Sequence, residues 1–159
     1  MIFKHPVNTK HHSMNKALRL VFISISTLFF LNGYSQSIFG KWKTIDDRTG
    51  NPKGVIEIYK KNNKMHGKIV EILEEGKENF VCAKCDGDLK DKPVLGMVIL
   101  QNAEEHDEGE WKGDHLFDPE QAMTFRCKIW LNPENPNELK VRGYLAFIYR
   151  TQTWLRVED

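Results

Sequence analysis

The sequence has three cysteines in 159 residues, no block of basic residues, and no apolar segment long enough to span a bilayer. Each shortage removes a class of protein. A single Cys-x-x-Cys pair, Cys82 and Cys85, has no second pair after it, so the pattern of a four-ligand zinc site is incomplete. The apolar segment Leu20 to Leu31 covers about a dozen residues, against roughly 20 for a spanning helix. Also missing are a glycine-rich phosphate loop, a nucleophile elbow and a metalloprotease helix. Beyond residue 35 there is no convincing helical pattern, no repeat and no low-complexity tract.

What is present begins with a leader. Lys4, Lys10, Lys16 and Arg19 precede the apolar segment, and no acidic residue accompanies them. Gly33-Tyr34-Ser35 then offers small residues where a signal peptidase reads the chain. This is the pattern of a secretory signal peptide over residues 1–35, cleaved before Gln36, and Met14 would also serve as a start. No cysteine follows the apolar segment until Cys82, which argues against a lipid-anchored N-terminus. The expected mature chain, residues 36–159, is secreted or periplasmic and is not an integral membrane protein. The leader holds four of the 23 basic residues and none of the 22 acidic ones, so the remainder carries a net charge of −3. A mildly acidic domain with no basic block has no overall electrostatic reason to bind nucleic acid or anionic membrane.

Residues 36–159 suffice for one domain with a hydrophobic core. Strand patterns recur there with turn chemistry between them. Phe39–Ile45 ends in a polar turn, and Gly54–Lys60 is rich in β-branched and aromatic residues. Asn62-Asn63 suits a tight turn into Met65–Leu73, because asparagine tolerates positive φ. An irregular segment from Glu74 to Pro93 holds both residues of the cysteine pair. Strands are expected over Val94–Gln101, Glu110–Phe117, Thr124–Leu131, Glu138–Gly143 and Arg150–Val157, with Tyr144–Tyr149 joining the last two. About eight strands joined by short loops predict an all-β domain, a single antiparallel up-and-down β-barrel. A two-sheet sandwich is the alternative.

Gly40-x-Trp42 at the head of the first strand resembles lipocalin-type barrels, where such a tryptophan packs under an arginine of the last strand. Arg156 stands in that position here and is expected to cover Trp42, with Gly40 letting the chain pass close to the barrel floor. Longer stretches carry a wider resemblance. They are Gly40-Lys41-Trp42-Lys43-Thr44, Thr49-Gly50-Asn51-Pro52-Lys53, His66-Gly67-Lys68-Ile69-Val70, and Cys82-Ala83-Lys84-Cys85. Further along come Lys92-Pro93-Val94-Leu95-Gly96, Phe117-Asp118-Pro119, Val141-Arg142-Gly143-Tyr144, and Arg150 to Val157. In this order they resemble the DUF2147 family of secreted bacterial proteins over nearly all of residues 37–159. The resemblance implies a small lipocalin-like barrel outside the cytoplasm and no established activity. The family's usual Asn-Gly after the Asp-Pro-Glu turn is Gln121-Ala122 here, which leaves the geometry of that turn open.

Chemistry-bearing residues are few. Cys82 and Cys85 are followed by Asp86-Gly87-Asp88, which is turn-forming and acidic, so a structural disulfide is expected rather than thiol exchange at a helix N-terminus. Cys127 makes the count odd, and on strand alternation it points inward with Phe125 and Ile129. A bridge from either residue of the pair to Cys127 stays open, as does zinc held by Cys82, Cys85 and a third ligand such as Cys127 or a histidine. His106 lies among Glu104, Glu105, Asp107 and Glu108, whose side chains splay in different directions, and Asp86, Asp88 and Asp91 lack calcium-loop spacing. No catalytic set, no metal site and no cofactor is expected.

On the last strand Arg150, Gln152, Trp154 and Arg156 share a face. Glu57 with Val55 and Tyr59, and Glu71 with Ile69 and Leu73, share others. Charges inside a barrel need partners or a wet cavity. The leading expectation is therefore a barrel that binds a small amphiphilic ligand, such as a lipid or fatty acid. Arg142 or Arg150 would hold the anionic head, with Tyr59, Phe125 and Trp154 around the tail. The alternatives are a structural or interaction module with a filled barrel, its protein partner unknown, and a thiol-redox protein using Cys82 and Cys85.

Overall fold

In the computed structural model, which describes residues 36–158, eight antiparallel strands close on themselves in chain order. The expected leader, residues 1–35, lies outside the described residues. The strands are β1 (Gly40–Ile45), β2 (Pro52–Lys61), β3 (Lys64–Ile72), β4 (Val98–Asp107), β5 (Glu110–Asp118), β6 (Met123–Asn132), β7 (Asn135–Leu145) and β8 (Ile148–Arg156). The barrel expectation holds and the sandwich does not. A 3₁₀ turn, Gly87–Leu89, sits in the β3–β4 connection, and among the described residues no helix is long and apolar enough to cross a membrane.

Several boundaries differ from the sequence reading. β4 begins at Val98 and runs through the acidic stretch to Asp107, because those carboxylates project into solvent while Ala103 is buried. β7 and β8 extend to Leu145 and back from Ile148, so the tyrosine-rich segment is itself a tight hairpin with Ala146 at φ 52°. The turn through Gln121 and Ala122 is fastened by its leading aspartate. Asp118 Oδ1 accepts from the Glu120 and Gln121 amides at 2.9 and 3.2 Å, and Ala122 takes the left-handed conformation that glycine would adopt more easily.

Up-and-down topology sends alternate connections to opposite ends of the barrel. One end carries the start of β1, the β2–β3, β4–β5 and β6–β7 turns, and the end of β8. It is solid: Trp42, Ile58, Met65, Leu100, Ile129 and Leu139 are fully buried there. Gly67 makes this packing possible, since a Cβ at that position would stand 3.0–3.1 Å from Ile58 and Leu100.

Trp42 plugs this floor. Its Nε1 donates to the Ile38 carbonyl at 3.0 Å, and the Arg156 guanidinium lies 4.2 Å from the ring centroid, as the lipocalin-type reading required. Arg156 Nη2 also donates to Ser37 O at 2.8 Å and Pro136 O at 3.2 Å, tying three segments together. Gly40 sits at φ 136°, a conformation reserved in practice for glycine, with the guanidinium 3.7 Å from where a Cβ would be. Arg156→Ala should therefore lower unfolding stability by about 2–3 kcal/mol in urea titrations, from the lost cation–π contact and charged hydrogen bonds. Arg156→Lys should retain part of that difference.

Candidate functional site

The opposite end of the barrel is open. It gathers the β1–β2 loop, the β3–β4 connection, the β5–β6 turn and the β7–β8 hairpin. Between them lies a cavity of about 250 Å³. Its walls are apolar, formed by Ile56, Ile69, Ile99, Phe125, Val141 and Trp154. Two polar side chains, Thr44 and Gln152, face in among them, and Trp154 Nε1 donates to Gln152 Oε1 at 3.2 Å. Gly143 contributes a wall without a side chain, and a Cβ there would rest at ordinary contact distance, 3.6 Å, from Phe125.

The β3–β4 connection covers part of the opening, with Phe80 and Val94 facing the cavity. Its fold is local and well fastened. Val81 bridges Pro93, Cys82 N donates to Lys92 O at 2.9 Å and Val94 N to Phe80 O at 2.9 Å. Cys82 and Cys85 form a disulfide, both buried, and Cys82 Sγ packs 3.3 Å from the Pro119 carbonyl of the β5–β6 turn. Cys127 remains a free, buried thiol on β6, so the alternative bridges are not formed. Burial pushes its pKa up to about 12.

Charge is confined to the mouth. Glu120 pairs with Lys53, and at 3.4 Å with Lys77, which also pairs with Glu74 at 2.7 Å. Burial works to raise the Glu120 pKa, but the two lysines outweigh it and hold the carboxyl below its ordinary range. Lys77 is shifted upward, chiefly by its hydrogen bond to Glu74. Because the Glu120 value is lowered, the network is complete above the ordinary glutamate range and is lost as pH falls through the lowered value. Arg150 closes the ring on the other side, its Nε donating to Asp47 Oδ2 at 2.9 Å.

Of the residues expected around a ligand, Arg150, Phe125 and Trp154 line this cavity and Arg142 and Tyr59 do not. Val141 and Gly143 hold the inward positions of β7, so Arg142 between them projects outward. There its Nε donates to Thr151 Oγ1 at 2.7 Å and its guanidinium spans Trp130 and Tyr149. Tyr59 faces outward because β2 turns its alternate positions Gly54, Ile56 and Ile58 inward. Glu57 goes outward with it, Tyr59 stacks on His66, and Glu71 lines the rim. Lys53, Lys77, Glu120 and Phe80 were not singled out in the sequence. The one available signal was topological, since their connections belong to the same end of an up-and-down barrel.

A family model described as an uncharacterized protein conserved in bacteria (DUF2147) matches residues 40–156. The chain is also similar in structure to protein HP1028 from Helicobacter pylori, which is described as belonging to the lipocalin family. The TM-score is 0.65 at 16% identity, over 77% of this chain and 84% of that one, a likeness of fold. No curated protein matches the chain.

The cysteine arrangement predicts a simple labelling pattern. Native protein at pH 8 should take up no iodoacetamide, because Cys127 is buried and stays protonated. Denatured protein should take up one equivalent, and denatured, reduced protein three, all read by intact mass.

Proposed function

The chain belongs to the DUF2147 family, and from the open, apolar cavity with its charged mouth we propose that it binds a small amphiphile outside the cytoplasm. The observation that carries this reading is the division of the barrel interior. Below Ile56 it is packed solid, and above it is a cavity of about 250 Å³ with apolar walls and all its charge at the rim. An apolar cavity of about 150 Å³ accommodates benzene, so this one encloses roughly ten non-hydrogen atoms. A medium-length acyl chain or a single substituted ring fits, and a longer tail would protrude through the mouth.

The head group meets Lys53, Lys77 and Arg150. Each already holds a carboxylate, so an incoming carboxylate or phosphate exchanges one anion for another, and the apolar tail supplies the driving force. A filled barrel would be packed throughout its interior, whereas here only the floor is. Thiol exchange is disfavoured by the burial of both Cys82 and Cys85. Compartment is supported by the leader pattern in residues 1–35 and by a disulfide that suits an oxidising environment.

Native mass spectrometry of protein purified without detergent is the test. A reproducible adduct of roughly 150–300 Da is expected, in line with the enclosed volume. Gly143→Leu, which fills the cavity from an unstrained position, should remove the adduct while leaving the melting temperature close to wild type. Arg150→Ala should weaken binding of an added medium-chain fatty acid about tenfold. Wild-type protein that carries no adduct and binds no added fatty acid would overturn the proposal.

A further inference from the structure

The hairpin joining β7 and β8 exposes apolar side chains in near succession. Phe147 is 92% exposed, Ile148 63%, Tyr149 59% and Leu145 47%. Scattered exposed hydrophobics are ordinary, whereas a contiguous group marks a contact surface. The tip is not slack: Leu145 pairs with Ile148, and Arg126 Nη2 donates to the Ala146 carbonyl at 3.2 Å. Its backbone is held in a form that presents these side chains to solvent.

Three observations point to one occupant. First, the hairpin stands at the open end of the barrel, immediately above Gly143 and Arg150, which line the cavity. Leu95, 49% exposed and adjacent to cavity-lining Val94, adds an apolar contact from the β3–β4 connection. Second, the charge in the strands flanking the tip is of one sign, with Asp47 of the β1–β2 loop reaching Arg150 from outside them. Residues 121–133 and 139–157 contain no aspartate or glutamate, and they place Arg126, Arg142 and Arg150 behind the tip. Arg142 lies 4.5 Å from the Tyr149 ring centroid, which sets a guanidinium beside an aromatic with a polar hydroxyl. Third, the tip is convex. A few protruding side chains cannot supply the roughly 800 Å² per partner of a stable protein interface, but they can enter the boundary layer of a bilayer.

We propose that the Leu145–Tyr149 tip inserts into a phospholipid surface and seats the cavity mouth against it. Phe147 and Ile148 enter the acyl boundary, Tyr149 stays at headgroup depth, and Arg126 and Arg142 meet lipid phosphates. The proposal builds on the amphiphile reading by naming the bilayer as the place where ligand is exchanged, and it is measured separately from it. The domain's net charge of −3 does not oppose it, because screening confines the relevant field to about 8–10 Å around the tip.

Protein produced from the full chain and recovered from the soluble fraction would be floated with phosphatidylcholine–phosphatidylglycerol vesicles. Wild type should float, and the Phe147→Ser, Ile148→Ser double variant should partition tenfold less or weaker still, with an unchanged melting temperature. Phe147→Trp adds a reporter at the tip, whose emission should shift to the blue on adding vesicles. Gly143→Leu should float like wild type, so flotation without amphiphile uptake would overturn the cavity reading alone. Wild type that stays unbound at every lipid concentration overturns the proposal. So does equal flotation of the double variant, or a tip that mediates only self-association in the absence of lipid.

Discussion

The whole architecture depends on a short seam. Of the eight strand junctions the shortest is that of β1 and β8, the first and last strands, which meet through two residue pairs, Trp42 with Arg156 and Lys43 with Leu155. Hydrogen bonding over so short a contact cannot by itself offset the entropy of bringing the chain ends together. The Trp42–Arg156 stack supplies the remainder. It sits within the first seam pair, fills the floor, and is fastened to Ser37 and to Pro136 of the β6–β7 turn. Without closure, β1 and β8 would be open edges, and the interior would lose the wall carried by Trp154 and Gln152.

Closure at the floor also explains why the other end can stay open. Large side chains concentrate around Trp42, where Ile58, Met65, Leu100, Ile129 and Leu139 exclude solvent completely. Toward the mouth the inward positions become smaller or more polar, with Gly54, Gly143, Thr44 and Gln152 among the lining residues. An eight-stranded barrel is just wide enough for its side chains to fill it, so a few small residues suffice to leave a hollow. The disulfide-bearing connection and the ion pairs of Glu120 then hold the rim while the interior remains vacant of side chains.

Most of the fold was legible in alternation and turn chemistry, because each strand contributes its own evidence and short connections leave few topologies. Trp42, Arg156 and the Cys82–Cys85 pair were legible for a related reason: each is marked locally, by a Gly-x-Trp triplet, a terminal strand or a two-residue spacing. The facing of Tyr59 was not. β2 carries apolar residues at both parities, Val55 and Tyr59 on one face and Ile56 and Ile58 on the other, so alternation leaves open which face turns inward. The rim network was hidden for a different cause. Lys53 and Glu120 lie 67 residues apart, on β2 and in the β5–β6 turn, and meet only across the mouth of the folded barrel.

The β7–β8 hairpin carries the argument one step further. Local strand logic explains why residues 145 and 148 pair, but it does not explain why Leu, Phe, Ile and Tyr occupy the tip. Turns ordinarily favour Asn, Asp and Gly there, which lower the conformational strain and improve solubility together. Ala146 at φ 52° and a phenylalanine 92% exposed disregard both preferences. Sites where local rules are broken without a packing gain inside the fold are sites where something outside the fold provides the gain. Cations without neighbouring carboxylates in the flanking sequence, and a cavity mouth directly beneath, make an amphiphile-bearing surface the partner whose chemistry fits.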